Sequence, residues 1–219
     1  MMQKPALYLS IALIALPLSA QAHNHTLVIG NFSANDISGW TEKVFNEQTH
    51  YELTKSANRT VLSAKSQASA STFYKDLSVD LNATPCLNWS WKVDNALDGL
   101  LEKTKAGDDF AARVYVVFSG GAAFWNTRAL NYVWSGNNPI GSSWPNAYTD
   151  NSVNFVLESG QTKAGQWVTE SRNVLKDVQR LIDQDLHVAD GVAIMTDTDN
   201  SKTSAKAYFG DIYFSKSCG

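Results

Sequence analysis

The sequence predicts an all-β protein: an antiparallel β-sandwich of jelly-roll type with one short peripheral helix. Three observations favour this fold class. Most of the chain consists of short runs rich in β-branched and aromatic residues, separated by turn residues. The clearest runs alternate between apolar and polar residues, which is the period of a half-buried strand. A single segment has the apolar spacing of a helix.

The predicted strands follow one another along the chain. In order they span residues 26–32, 40–45, 51–54, 60–64, 73–81, 86–93, 108–118, 129–134, 154–158, 167–172, 191–197 and 205–214. In "CLNWSWKV" one face consists of Leu87, Trp89, Trp91 and Val93. In "DDFAARVYVVF" one face consists of Phe110, Ala112, Val114, Val116 and Phe118, and the other carries Asp109, Arg113 and Tyr115. The two apolar faces are predicted to belong to the core.

The helix is predicted where the apolar spacing changes. Apolar residues recur with helical spacing at Val174, Val178, Leu181 and Ile182. Asn173 is the expected N-cap, because an asparagine side chain can accept a hydrogen bond from a backbone N–H in the first turn. This helix is expected to lie on the outside of a sheet.

Residues 135–152 read as a loop throughout. Loops of this length are uncommon in compact domains and are often functional. The chain contains no repeat, linker or low-complexity tract, so residues 23–219 are interpreted as one domain.

Residues 1–22 are interpreted as a secretory signal. Lys4 supplies the positive charge, an apolar run follows, and Ala20-Gln21-Ala22 forms the cleavage site. The apolar run is too short for a bilayer core of about 30 Å. We therefore expect an exported protein, periplasmic or extracellular, with no transmembrane segment.

Cys86 and Cys218 are the two cysteines of the chain. In an oxidising compartment an even number of cysteines favours pairing, so a disulfide between them is predicted. The alternative is a pair of free, buried thiols.

Composition and motifs argue against several classes of function. The net charge is −3 and the basic residues are scattered, so nothing indicates nucleic-acid binding. Nucleophile-elbow, zinc, phosphate-loop and dinucleotide motifs are absent from the sequence. A hydrolase or lyase acting on a polysaccharide remains an alternative, because two carboxylates about 5–10 Å apart can cleave a glycosidic bond. The carboxylates considered for this chemistry are Asp109, Glu158, Glu170 and Asp197.

A polar groove on one sheet face is the main functional hypothesis. If the apolar sides of the strands form the core, the opposite sides collect charged and amide residues. The predicted ligand-binding residues are Lys92, Asp109, Arg113, Asn131, Trp134, Glu170 and Arg172. Arginine forks and aromatic platforms suit a glycan or another cell-envelope component. Trp134, Trp144 and Tyr148 are the candidate platforms. The alternatives are a solvated face of paired charges and a structural envelope protein.

The stretch "TDTDN" raises the question of a metal. Asp197, Asp199 and Asn200 could provide oxygen ligands for a structural calcium ion. The alternative is a turn in which Asp and Asn side chains bond the local backbone. No other cofactor is predicted. A mature terminus His23-Asn24-His25 could also form a square-planar site for Cu(II) or Ni(II), and a site like that of copper oxygenases would need a further histidine at His50 or His187. The alternative is an unstructured start with incidental histidines.

Six stretches carry a resemblance to a known family. They are "LNWSWKV" (87–93), "GDDFAARVYVVF" (107–118), "ALNYVW" (129–134), "ESRNVLKDV" (170–178), "AIMTDTDN" (193–200) and "AYFGDIYF" (207–214). Together they resemble the domain-of-unknown-function 3047 family of exported bacterial proteins. The resemblance implies a jelly-roll, carbohydrate-binding-like sandwich. It implies no activity and no catalytic residues.

Overall fold

The fold was taken from a computed structural model, which describes residues 26–56, 58–120, 127–182 and 184–219. Over these residues the chain forms two seven-stranded sheets that pack face to face. The prediction of a β-sandwich with one short helix is confirmed. The predicted signal, residues 1–22, and the predicted copper-binding terminus, residues 23–25, lie outside the described residues.

The first sheet has β6 at its centre. Its strands, in spatial order, are β1 (Thr26–Gly30), β14 (Ile212–Ser215), β6 (Cys86–Val93), β13 (Ser204–Phe209), β4 (Arg59–Gln67) and β3 (His50–Ser56). A seventh strand, β11 (Val168–Asn173), also pairs with β6. All of these pairings are antiparallel.

The second sheet contains the remaining strands. In spatial order they are β2 (Thr41–Asn46), β5 (Ala70–Asp80), β12 (Val188–Met195), β7 (Ala112–Phe118), β8 (Arg128–Ser135), β10 (Thr149–Ser159) and β9 (Ser143–Asn146). Within this sheet β8 and β10 are parallel, whereas the other pairs are antiparallel. The parallel pair is a departure from the predicted antiparallel pattern.

Part of the predicted long loop is a strand. Ser143–Asn146 forms β9, an edge strand that pairs with β10, although it contains Pro145. A proline has no N–H to donate to a neighbouring strand. It is therefore tolerated in an edge strand, which has a neighbour on one side only. Because the composition of this segment is typical of a turn, the sequence did not predict the strand.

The core consists of the apolar faces that the alternation predicted. Trp89 and Trp91 of β6 project towards the second sheet, where they meet Tyr132 and Trp134 of β8. The ring centroids of Trp89 and Tyr132 are 5.3 Å apart, and those of Trp91 and Trp134 are 5.9 Å apart. These large buried rings supply much of the apolar area that the sandwich removes from water.

Helix α1 (Val174–Leu181) closes one side of the sandwich. The Asn173 side chain accepts a hydrogen bond from the backbone N–H of Lys176 at 3.0 Å, which confirms the predicted N-cap. Val174 and Val178 are buried in the core. Among the described residues, no helix is long and apolar enough to cross a membrane.

The predicted disulfide between Cys86 and Cys218 is present in the structure. Their Cα atoms are 5.2 Å apart, and the bond joins residues separated by 132 positions in the chain. It connects the buried start of β6 to the segment that follows β14, so the end of the chain is attached to the central strand of the first sheet.

Candidate functional site

A groove crosses the outer face of the second sheet. It encloses about 860 Å³, and its lining includes Phe45, Tyr115, Arg128, Asn131, Tyr148 and Met195. An adjoining depression of about 460 Å³ shares Phe45, Tyr115 and Met195 with it and extends over Tyr74 of β5. The groove therefore runs across the strands, because the outward positions of β2, β5, β12, β7 and β8 lie side by side.

The centre of the groove floor is an uncharged aromatic surface. Tyr115 lies opposite Ala193, and its hydroxyl donates to the sulfur of Met195 at 3.3 Å. Burial raises the pKa of Tyr115 well above its usual range, so the phenol stays protonated. Because the Ala193 side chain is small, it leaves space beside the Tyr115 ring.

Asn131 forms the polar part of the floor. The register of the parallel pair places it opposite Asn154, and its amide donates to Asn154 Oδ1 at 2.9 Å and to Ser152 Oγ at 2.8 Å. Its own Oδ1 atom is buried and has no hydrogen-bond partner among the described residues. Asn131 is 1% exposed. A buried polar atom without a partner is costly, and the side-chain nitrogen of the facing Asn154 is likewise unpartnered among the described residues.

Two exposed aromatic rings stand at the ends of the groove. Phe45 of β2 is 60% exposed, and Tyr148, between β9 and β10, is 55% exposed. The Tyr148 hydroxyl accepts from Asn200 Nδ2 at 2.8 Å and donates to the carbonyl of Lys105 at 3.3 Å. These bonds hold one ring in place at the rim. Tyr148 was a predicted platform, whereas Phe45 was not identified from the sequence.

The other two predicted platforms are buried. Trp134 is 0% exposed because it shares the inward face of β8 with Tyr132. Trp144 packs on Phe110 in a small cluster on the outer side of the second sheet. The prediction that these tryptophans form ligand platforms is wrong, because both indoles serve to fill apolar space.

Arg113 points away from the core, as predicted, but it is not exposed to solvent. It is 3% exposed, because Phe110 and the residues before β7 cover this end of the outer face. Its Nε donates to Asp197 Oδ1 at 2.9 Å, and its Nη2 donates to Asp197 Oδ2 and to the carbonyl of Asp108. Burial alone would lower the pKa of Arg113, but the charges of Asp197 and its neighbours raise it well above its usual value. Arg113 is therefore a buried cation that balances Asp197.

Asp109 has a structural position as well. It is fully buried and accepts hydrogen bonds from the backbone N–H groups of Asn200, at 3.2 Å, and Ser201, at 2.6 Å. The alternation predicted a solvent-facing side chain, but residues 108–111 precede β7 and do not follow its pleat. Asp109 therefore caps the turn at residues 199–202.

The segment "TDTDN" has features of both predictions, the turn and the cluster of acidic oxygens. The turn is present, but Asp109 binds its backbone in place of the local side chains. Carboxylate oxygens of Asp109, Asp197 and Asp199 lie within 4.8 Å of one another. The amide of Asn200 is directed to Tyr148. A structural calcium ion at this loop would have Asp109, Asp197 and Asp199 as its acidic ligands, with Asp109 in place of the expected Asn200.

Calcium and a chelator are expected to give the same melting midpoint. Arg113 already balances the charge of Asp197, and backbone N–H groups satisfy Asp109, so the loop has little need of a cation. Thermal unfolding with calcium and then with excess chelator measures this. A midpoint several degrees higher in calcium would instead assign a structural calcium ion to this cluster.

Glu170 and Arg172 lie on the first sheet, not beside Arg113. In the pairing of β11 with β6, Glu170 is opposite Trp89 and Arg172 is opposite Leu87, so both side chains point to the interior side of the sheet. Arg172 makes two bonds to Asp177 of α1, from Nε at 2.9 Å and from Nη2 at 2.7 Å. The prediction of one solvent-facing cluster of Arg113, Glu170 and Arg172 is therefore wrong.

Lys92 is also remote from the groove. It lies on the outer face of the first sheet, where its Nζ is 4.2 Å from the centre of the Tyr208 ring. Of the predicted ligand-binding residues, Arg113 and Asn131 line the groove.

The four candidate hydrolytic carboxylates occupy two separate regions. Asp109 and Asp197 belong to the network around Arg113. Glu158 of β10 is paired with Lys163 at 2.6 Å. Burial, followed by the charge of Glu158, raises the pKa of Glu170 from 4.5 to about 7. A facing pair across the groove is not formed by these four residues.

Glu170 is expected to make stability depend on pH. Because its folded pKa lies above 4.5, the folded state holds an extra proton between pH 4.5 and about 7. The stability contributed by this proton is present at low pH and is lost as the pH rises through about 7. Glu170→Gln should therefore match the parent at low pH and exceed it by about 1–3 kcal/mol above pH 7. Chemical denaturation from low pH to above pH 7 measures the difference in unfolding free energy between the variant and the parent. Glu47→Gln, at an exposed position, is the control. A gap independent of pH would contradict the prediction.

A family model described as "Protein of unknown function (DUF3047)" matches residues 38–213. The chain belongs to the DUF3047 family. The match covers most of both sheets and confirms the resemblance seen in the sequence. A search of the curated proteins finds no match to this DUF3047 chain.

Solved structures similar to the DUF3047 chain include several carbohydrate-binding modules. One is a Caldicellulosiruptor saccharolyticus module, CBM27-1, in complex with mannohexaose, with 8% identity, TM-score 0.46, and coverage of 89% of this chain and 98% of the module. Another is CBM28, described as specific for non-crystalline cellulose, with 13% identity, TM-score 0.43, and coverage of 86% and 90%. A family 29 module in complex with cellulohexaose has 10% identity, TM-score 0.42, and coverage of 90% and 94%. Likeness at this level carries no argument about what the DUF3047 chain binds.

Proposed function

We propose that this protein binds a glycan, such as a component of the cell envelope, in the groove on the second sheet. The observation that carries the proposal is the buried, unpartnered Oδ1 of Asn131 in the floor of a groove with exposed rings at both ends. A sugar hydroxyl can donate to this oxygen. Pyranose faces can pack on Phe45 and Tyr148, since aromatic side chains provide large, rigid contact areas.

The hydrogen-bonding groups of the groove favour a ligand rich in hydroxyl groups. Arg113, its buried cation, is already paired with Asp197. Tyr115 stays neutral. The lining also offers amide and hydroxyl groups for directed hydrogen bonds, next to the charged side chains of Lys43, Arg128 and Asp199.

An exported protein fits this function, and we propose that localisation as well. The signal-like residues 1–22 and the disulfide between Cys86 and Cys218 support it, because disulfides persist in oxidising compartments. Detection of residues 23–219 in the periplasmic or culture fraction, with His23 as the first residue, would test it.

Loss of the rim rings is expected to weaken glycan binding without affecting folding. The mature protein is first screened on a glycan array, and soluble neutral hexasaccharides including mannohexaose and cellohexaose are then titrated by calorimetry. Phe45→Ala and Tyr148→Ala should each reduce affinity about tenfold, or about 1.4 kcal/mol, as expected for exposed aromatic anchors. Their melting midpoints should stay close to that of the parent, because both rings are exposed.

The matched control is Tyr213→Ala, which removes an exposed ring from the first sheet. Equal losses in all three variants, or no binding to any neutral glycan, would contradict the proposal. Release of new reducing ends from a bound oligosaccharide would favour the alternative, a hydrolase acting on the same class of ligand.

A further inference from the structure

The outer face of the first sheet carries a row of basic side chains. His50 of β3 lies directly opposite Lys65 of β4, and Lys65 lies directly opposite Lys206 of β13. We call these three side chains the basic row. Side chains directly opposite each other in an antiparallel pair are close neighbours, and like charges in that position destabilise a sheet.

The lysines of this face have no carboxylate partners. Among the described residues, no Asp or Glu oxygen lies within ion-pair distance of the ammonium groups of Lys65, Lys92 or Lys206. The nearby carboxylates are engaged elsewhere: Glu52 lies 3.4 Å from His50, and Asp94 accepts from Tyr208 at 3.3 Å. The two lysines of the basic row therefore lie side by side without an ion-pair partner among the described residues.

Aromatic rings lie beside the basic row. The Tyr208 ring has Lys92 at 4.2 Å and Lys206 at 5.0 Å from its centre. The Trp167 ring has Arg59 at 4.1 Å and Lys92 at 6.0 Å. Cations attracted to ring faces are held in fixed positions. The face thus alternates cation and ring across β13, β6 and the residue preceding β11.

A purely structural role leaves Lys65 unexplained. Attraction to rings accounts for Lys92, Lys206 and Arg59, but Lys65 contacts neither a ring nor a carboxylate within the described chain. It is exposed, and its two cross-strand neighbours are His50 and Lys206. Such an arrangement is costly in the free protein and becomes favourable when an anion lies over it.

We infer that this face is a second binding site, separate from the groove, for an anionic polysaccharide. Carboxylate groups of the polymer meet Lys65, Lys92 and Lys206, and its sugar rings lie beside Tyr208 and Trp167. The cations form a line that crosses strands about 4.8 Å apart, which suits a linear polymer. Glu52 and Asp94 border this line. A flat anionic membrane would lie over both carboxylates as well as the cations, whereas a linear polymer can follow the cations alone, so the polymer is the favoured occupant.

The test uses polygalacturonate as the anionic probe and its fully methyl-esterified form as the uncharged match. The double variant Lys65→Gln with Lys206→Gln should bind polygalacturonate about tenfold more weakly, whereas the parent and the variant should not differ in binding to the esterified polymer. Added salt to about 0.15 M should weaken the parent more than the variant. Because the variant removes a repulsion, its melting midpoint should equal or exceed that of the parent.

The control is Lys176→Gln with Lys216→Gln, which changes the net charge equally at exposed positions outside this face. It should retain affinity within about twofold, since distant exposed charges are screened. Phe45→Ala should also leave polygalacturonate binding unchanged, which separates this site from the groove. The inference is overturned if the control loses as much affinity as the Lys65 and Lys206 variant. It is also overturned if that variant melts earlier but binds normally, or if phosphatidylglycerol vesicles bind in a Lys65-dependent manner and polygalacturonate does not.

Discussion

Replacement of both cysteines by alanine is expected to lower the free energy of unfolding by about 5 kcal/mol. The disulfide between Cys86 and Cys218 closes a loop of 132 residues, and in the chain-entropy model a loop of this size restricts the unfolded chain strongly. The melting midpoint should fall by roughly 10–20 °C in a domain of this size.

The chemical state of the cysteines provides the corresponding check. Non-reducing mass spectrometry of the exported protein should show the peptides of Cys86 and Cys218 linked. Under reducing conditions the parent should melt like the double alanine variant. Two alkylatable thiols in the native exported protein, or a double variant as stable as the parent, would contradict the prediction.

Arg113→Ala is expected to unfold the protein early. The change leaves the carboxylate of Asp197 buried without its cation, and breaking a buried ion pair in this way costs about 3–5 kcal/mol. A fall in the melting midpoint of roughly 6–20 °C should follow. Arg180→Ala is the control, because its ion pair with Asp177 is long, at 3.6 Å, and Arg180 is exposed.

A second substitution distinguishes stranded charge from lost packing. Adding Asp197→Asn to Arg113→Ala removes the stranded charge, while the new side chain can still accept the N–H of Phe110. The double variant should therefore regain part of the stability lost by Arg113→Ala. A double variant no more stable than Arg113→Ala would show that the effect comes from the lost guanidinium packing instead.

The alternation of side chains predicted the core well. It placed Trp89 and Trp91 on the core side of β6, and Val114 on the core side of β7, and all three side chains are buried in the core. Burial itself does not alternate along these strands, because much of the opposite face of each is covered as well. The sequence also predicted Asn173 as the N-cap of α1, because capping depends on local chemistry.

The errors at the site have a common physical cause. Alternation tells which residues share a side but not what covers that side. Arg113 points away from the core, yet Phe110 covers that end of the outer face. Glu170 and Arg172 do share a side, but their pairing opposite Trp89 and Leu87 turns that side inward. Both outcomes depend on contacts between distant segments.

Local sequence patterns could not predict the groove, for the same reason. Phe45, Tyr115 and Asn131 lie on strands that are separated along the chain and become neighbours only through the strand order of the second sheet. The unpartnered oxygen of Asn131 arises from the parallel register with Asn154, which no local pattern predicts.

An NMR titration of the isotope-labelled protein with a hexasaccharide from the calorimetric panel tests the glycan-binding proposal most directly. The side-chain amide of Asn131 reports on the groove floor, because its carbonyl oxygen is the atom expected to accept a sugar hydroxyl. We expect its amide signals, with those of the backbone around Phe45 and Tyr148, to shift and saturate together. Saturation of binding with these signals unchanged, and with shifts confined to the first sheet, would contradict a glycan site in the groove.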